Sequence, residues 1–191
     1  RYTFQANTQI NTKEIQAKHL NSFWTDLEKI LLKEEYKIAL DPTLHSIIEI
    51  EKVEKMLENS TSQLQLIDKN FVDLIWENQP KTQYTDIFDH PVSFAGQGRS
   101  EKLDILKKFL DQNEIDHYFV SGLDNIAWLL NLRADDIKYT PLLYSYLLIS
   151  KNNKHSLYIK ESAMPEILKK EIQTLININN IENIISIFKN I

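Results

Sequence analysis

Cysteine is absent from the 191 residues, which excludes a disulfide framework, a thiol nucleophile and any cysteine-ligated metal. Glycine is nearly as scarce. Gly96, Gly98 and Gly122 are the only three, against roughly thirteen at an average usage of about 7%. A Gly-rich loop that cradles phosphate by close backbone approach has almost no material here. Long apolar runs are missing as well: Leu142 to Ile149 spans only eight residues, and about 18 to 20 are needed to cross a bilayer. Nor is there an excess of positive charge. The 22 Lys and Arg face 27 Asp and Glu, a formal charge of −5, so bulk attraction to nucleic acid is disfavoured. The chain opens Arg1-Tyr2-Thr3-Phe4 without initiator Met, basic n-region or apolar h-region, and reads as the middle of a longer protein. The missing secretory signal and missing cysteines make a cytoplasmic location the expectation.

What is present is the material of a packed core: 42% hydrophobic and 10% aromatic residues with 26% charged, far from the composition of disorder. Tyr2 and Phe4 alternate with Thr3 and Gln5, predicting a half-buried strand. Phe23, Trp24, Leu27, Ile30 and Leu31 recur at helical spacing after Asn21-Ser22, and Ile47, Ile50, Val53 and Leu57 predict a second helix. Short strands are predicted at Tyr36 to Leu40 and Leu64 to Ile67, giving an α/β rhythm. Phe71 to Trp76 reads as helical with Phe71, Leu74 and Ile75 facing inward. Glu77 to Ser93, with Pro80 and Pro91 and no sustained period, reads as an interdomain linker, and the boundary is placed at residues 87 and 88.

Beyond it, Leu103, Ile105, Leu106, Phe109 and Leu110 predict a helix capped by Ser100. A strand follows at Asp116 to Ser121 and a short helix at Leu123 to Asn131. Tyr144 to Ser150 and His155 to Lys160 flank a polar turn and predict an antiparallel hairpin. Pro165 opens another helix, and a last one is predicted from Ile181 to Asn190. With only three convincing strands, the second sheet reads as incomplete.

Few residues announce chemistry. The five histidines, His19, His45, His90, His117 and His155, never fall in a His-x-x-x-His pairing that would place two ligands on one helix face. His45 is expected to bond the helix that follows it. Gly96-Gln97-Gly98 precedes a helix, yet the third glycine of a dinucleotide loop is replaced by Glu101, so the segment is read as a turn. Ser100, Ser121 and Ser145 lack a Gly-x-Ser-x-Gly elbow. Asp124 and the adjacent Asp135-Asp136 are read as solvent-facing or capping carboxylates. Trp128, Asn131 and Arg133 bring an aromatic ring, an amide and a fixed cation to the end of one short helix, with Trp128 expected in the core.

The run Leu123-Asp124-Asn125-Ile126-Ala127-Trp128-Leu129-Leu130-Asn131-Leu132-Arg133, followed by Tyr139-Thr140-Pro141 and Leu147-Leu148-Ile149, closely resembles the second domain of aminopeptidase P, the three-domain Xaa-Pro aminopeptidases. Arg1-Tyr2, Asp41-Pro42-Thr43-Leu44-His45, Asn70-Phe71-Val72-Asp73-Leu74-Ile75-Trp76, His90-Pro91 and Phe94-Ala95-Gly96 extend the match in order, weakening after Lys160. The resemblance implies creatinase N-terminal-like mixed-sheet α/β domains with flanking helices. Residues 1–87 would be the later part of domain I plus linker, and 88–191 the earlier part of domain II. It further implies a separate catalytic domain in which two divalent metals, typically manganese, activate a water that attacks the bond before proline. No catalytic or metal-binding residue is assigned to this chain.

On that resemblance, the chain is the non-catalytic N-terminal region of a homodimeric enzyme acting on peptides with proline in second position, with scaffold, substrate-access and subunit-contact roles. No nucleic acid or membrane is an expected partner. Trp128, Asn131 and Arg133 would lie at the edge of the substrate pocket. Ala134 stands where the family commonly has Gly, which disfavours a positive-φ turn there. The alternatives are a stand-alone α/β binding or assembly module without peptidase activity, and a prolidase, against which the Asn-Leu-Arg and Asn-Phe-Val-Asp segments argue.

Overall fold

The structure is a computed structural model that describes residues 2–10, 17–152 and 154–189. The chain divides into two compact units, Arg1–Pro80 and Lys81–Ile191.

In the first unit, α1 (Tyr2–Gln9) stands where a strand was predicted. Period-two alternation over four residues cannot by itself choose between strand and helix. Here local bonds decide, with Ile10 N–H donating to Ala6 O and Thr8 Oγ1 to Phe4 O. Tyr2 and Phe4 are exposed rather than half-buried, and Arg1 lies outside the described residues. A 3-10 turn (Leu20–Ser22) leads into α2 (Phe23–Leu31). Strand β1 (Lys37–Leu40) is joined through α3 (Ile47–Leu57) to β2 (Gln63–Leu66), and the two strands pair in parallel from Lys37–Gln63 to Leu40–Leu66. Ser46 and Glu49 form a reciprocal capping box on α3, which satisfies two orphan donors at once. His45 Nδ1 lies 3.9 Å from Glu49 Oε2, near the helix but too far for the hydrogen bond expected of it. Leu31 and Val53 are buried, and α3 packs against both α2 and β2. Short α4 (Phe71–Ile75) forms as predicted. Its residues Phe71, Leu74 and Ile75 do not pack inward, and all are exposed.

The second unit begins inside the predicted linker. Ile87 is buried in its core, and Ile87 N–H donates to Ala163 O at 2.7 Å, so residues beyond Pro80 are tied down rather than linking. Strand β3 (Phe88–Asp89) and a single turn α5 (Val92–Ala95) follow. The main elements are α6 (Arg99–Gln112), β4 (His117–Val120), α7 (Leu123–Leu130), β5 (Leu132–Arg133), β6 (Tyr146–Ser150), β7 (His155–Ile159), α8 (Glu166–Gln173) and β8 (Ile176–Asn180). The N-cap of α6 is Gly98, with Ser100 already inside the helix. Gly96 adopts φ +75° at the end of α5, a conformation that glycine reaches without steric cost.

The sheet has four strands in the order β4-β6-β7-β8, antiparallel except for the β7/β8 pair. Strand β8 completes the sheet read as incomplete. Its Ile-Asn alternation is short and asparagine is a weak strand former, so pairing with β7 specifies it. Along β6 and β7, Leu147, Ile149, Leu157 and Ile159 face the main core with α6, α7 and α8, while Leu148 and Tyr158 join Ile187 on the other face. A 3-10 segment (Ile181–Lys189) carries Ile184 and Ile187 onto that second face, occupying the place of the predicted last helix, whose final residue Asn190 lies outside the described set.

Candidate functional site at the end of helix α7

Helix α7 is apolar, with Ile126, Ala127, Leu129 and Leu130 buried. It stops because Asn131 turns left-handed at φ 52°, ψ 39°, a C-terminal role that asparagine tolerates better than most residues. The chain then enters β5, where Leu132 pairs with Asp89 and Arg133 with Phe88. Trp128, Asn131 and Arg133 are thereby brought together.

Three cations converge on the last carbonyls of α7. Lys102 Nζ donates to Trp128 O at 2.7 Å, Arg99 Nε to Leu130 O at 3.0 Å, and Arg133 Nη1 to Ala127 O at 2.6 Å. Trp128 O and Leu130 O are orphan acceptors, Ala127 O already accepts from Asn131 N–H, and all three lie at the negative dipole end of the helix, where positive charge is favoured. Arg99 also ion-pairs with Asp89 and Glu171. Beside it opens a pocket of about 320 Å³ lined in part by Asp89, Arg99, Asn131 and Glu171.

Asn131 is 1% exposed and bridges two segments, accepting from Lys102 Nζ at 2.7 Å and donating from Nδ2 to Gln97 O at 2.9 Å. Lys102, buried at 2%, stands 4.3 Å from the Trp128 ring centroid. Burial, helped by the Arg133 charge, holds its ammonium below the usual lysine range. Trp128 itself is 54% exposed, which corrects its expected place in the core: its neighbours along α7 take the buried face and leave the indole on the lysine. Ala134 is buried, and the left-handed turn falls at Asn131 instead.

Sequence reasoning missed Lys102. The available signal is its position four and eight residues before Leu106 and Leu110, on the apolar stripe of α6, where a lysine calls for a specific acceptor. The paired aspartates separate in role. Asp136 accepts from Thr85 N, Thr85 Oγ1 and Tyr144 N at 2.7, 3.0 and 2.9 Å, tying two loops, while Asp135 is exposed.

Among the described residues, no group of three or more His, Cys, Asp or Glu could hold a metal ion, and no helix is long and apolar enough to cross a membrane. The second unit is thus a mixed-sheet α/β domain whose polar cluster secures a helix end. The chain belongs to the creatinase/prolidase N-terminal domain family, which residues 78–191 match. Among curated relatives, a probable Xaa-Pro aminopeptidase P from Sordaria macrospora is 36% identical over 135 residues, 70% of this chain and 22% of the relative. One from Paracoccidioides brasiliensis is 31% identical over 176 residues, 90% of this chain and 28% of the relative. The crystal structure of X-prolyl aminopeptidase from Caenorhabditis elegans, a cytosolic enzyme with a di-nuclear active site, superposes with TM-score 0.78 and 25% identity over 99% of this chain and 31% of that one. The chain spans less than a third of the length of each.

Proposed function

We propose that this chain is a non-catalytic N-terminal region of a metal-dependent Xaa-Pro aminopeptidase, supporting the catalytic domain, limiting access of long substrates and contributing to contacts in a cytoplasmic homodimer. Its two compact units, Arg1–Pro80 and Lys81–Ile191, are on this reading pieces of two successive creatinase-type domains. The likeness to the worm enzyme across 99% of the chain carries the reading. Manganese in a di-nuclear site belongs, on this reading, to the catalytic domain. The described residues offer no group of three or more His, Cys, Asp or Glu to hold a metal.

This chain's contribution is positional. Asn131 and Lys102 fix the end of α7, and Trp128 with Arg133 present an indole face and a guanidinium at the substrate-pocket edge. The test is hydrolysis of Xaa-Pro peptides by the full-length protein. Release of the first residue is expected, with a several-fold lower kcat/KM for Arg133→Ala. Failure to cleave any Xaa-Pro peptide overturns the peptidase reading. An unchanged kcat/KM in Arg133→Ala removes Arg133 from the pocket edge.

A further inference from the structure

The three cations at the end of α7 are not compensated alike. Arg99 pairs with Asp89 and Glu171, whereas among the described residues neither Lys102 nor Arg133 meets a carboxylate. Carboxylates are not in short supply in a chain with 27 Asp and Glu against 22 Lys and Arg. Lys102 and Arg133 hold neighbouring carbonyls, Trp128 O and Ala127 O. They feel each other's charge: after burial, Arg133 is the second cause that holds the Lys102 ammonium below the usual lysine range. Two adjacent cations, one of them buried, are thus met only by carbonyl and amide oxygens and an indole face.

Arg133 also keeps a free edge. Its Nη1 donates to Ala127 O at 2.6 Å and to Leu132 O at 2.9 Å, which fixes the guanidinium plane. Its Nε and Nη2 have no hydrogen-bond partner among the described residues. None of those residues hides a fully buried, unpartnered side-chain nitrogen, so both groups reach solvent. Nε–H and one Nη2–H run parallel along one side of the plane, the side that meets both oxygens of a carboxylate. Lys102, only 2% exposed, adds charge behind that edge without reaching a ligand itself. A phosphate dianion would bring three acceptors and a double charge to a single edge that backs onto the negative end of a helix, so the corner suits a planar monoanion. We propose that the Nε/Nη2 edge of Arg133 binds a peptide carboxylate in bidentate fashion, with Lys102 supplying a second positive charge behind it. That the carboxylate is a peptide's rests on the peptidase reading; the uncompensated corner does not.

The experiment titrates the full chain at neutral pH and low salt with three tripeptides and follows the Arg133 Nε–H and Trp128 Nε1–H signals by NMR. Acetyl-Ala-Glu-Ala-amide carries a side-chain carboxylate, acetyl-Ala-Ala-Ala with a free C-terminus a terminal one, and acetyl-Ala-Gln-Ala-amide none. Saturable shifts with one or both anionic peptides are expected, at a Kd of about 1–10 mM, and the peptide that binds identifies the source of the carboxylate. The neutral peptide should bind about 10-fold more weakly or worse, and raising NaCl to about 0.5 M should weaken the anionic ones several-fold. Arg133→Lys keeps the charge but loses the parallel donors, and should cost about 10-fold in affinity. If that variant fails to fold, the wild-type Arg133 Nε–H signal carries the test, since a carboxylate bond must move it and the neutral peptide must not. Absence of saturable shifts, equal binding of the neutral peptide, preferential binding of inorganic phosphate, or undiminished affinity in folded Arg133→Lys overturns the proposal. No readout depends on hydrolysis. Cleavage of Xaa-Pro peptides by the full-length protein without carboxylate binding here sinks this proposal alone, and carboxylate binding without cleavage sinks the peptidase reading alone.

Discussion

The Lys102 ammonium rests 2.7 Å from Asn131 Oδ1 and 2.7 Å from Trp128 O, with the Trp128 ring centroid 4.3 Å away. Among the described residues no carboxylate pairs with it. A buried cation held by two neutral oxygens and an indole face keeps much of its desolvation cost, which is why its proton is held less tightly than usual. What the arrangement secures is the end of α7 and the left-handed turn that leads to Arg133.

Lys102→Met tests which effect wins. It relieves the cost of burying a charge, but it leaves Asn131 Oδ1 and Trp128 O without their donor, at about 1–3 kcal/mol for each buried acceptor. Net destabilisation of about 1–3 kcal/mol is expected in urea unfolding at neutral pH. The pH dependence carries a sign. The folded-state pKa lies below the ordinary 10.5, so near that value the unfolded chain binds more protons and lysine's contribution to stability rises with pH. Wild type should gain on Lys102→Met between neutral pH and about pH 10, and a constant difference would contradict the assignment.

Asn131 does two things at once, and two substitutions separate them. Asn131→Gly keeps φ 52° accessible but loses the bridge from Lys102 to Gln97 O. Asn131→Ala loses the bridge and adds about 1 kcal/mol of left-handed strain. Thermal unfolding should therefore rank wild type above the glycine variant and the glycine variant above alanine. Equal stability of the two variants would mean that the turn is not strained.

Most of the helices, the α3 start and the β6/β7 hairpin were legible because each is written locally, in a 3.6 or 2.0 period bounded by caps and polar turns. The same logic failed where packing decides. Phe71, Leu74 and Ile75 show an apolar face, yet a face is buried only if the unit supplies something to bury it against, and here all three are exposed. Strand β8 depends on a parallel partner some twenty residues away. Of the candidate site, Trp128, Asn131 and Arg133 were legible as a cluster. The residue that organises them, Lys102, comes from another helix, and its role exists only once α6 lies against α7.

Adjacent aspartates should respond very differently. Asp136 carries three hydrogen bonds joining Thr85 to Tyr144, and hydrogen bonds to a charged acceptor contribute about 1.5–3 kcal/mol each before solvent screening. Asp136→Ala is expected to cost about 2–4 kcal/mol and to speed hydrogen exchange at Thr85 and Tyr144. Asp135→Ala, which removes an exposed carboxylate, should fall within about 0.5 kcal/mol of wild type. Comparable losses in both would show that the loop tie does not depend on Asp136.

His155 gives the second unit an acid sensitivity. It opens β7, and its Nδ1 accepts from Ser150 N–H at 3.2 Å, a bond that only the tautomer with an unprotonated Nδ1 can make. Burial first, and then the positive Lys107, hold its pKa below the ordinary 6.5, with Asp104 opposing them. Between the folded value and 6.5 the unfolded chain binds the proton and the folded chain does not. Stability from this residue is thus fully present above 6.5 and is lost as the pH falls through that window, levelling off once the folded state also protonates. His155→Gln keeps an oxygen that can accept from Ser150 N–H and cannot titrate, so its stability should be flatter than wild type from neutral pH down to about pH 5. An NMR titration of the ring should place His155 below a peptide histidine, and a value at or above 6.5 would contradict the direction.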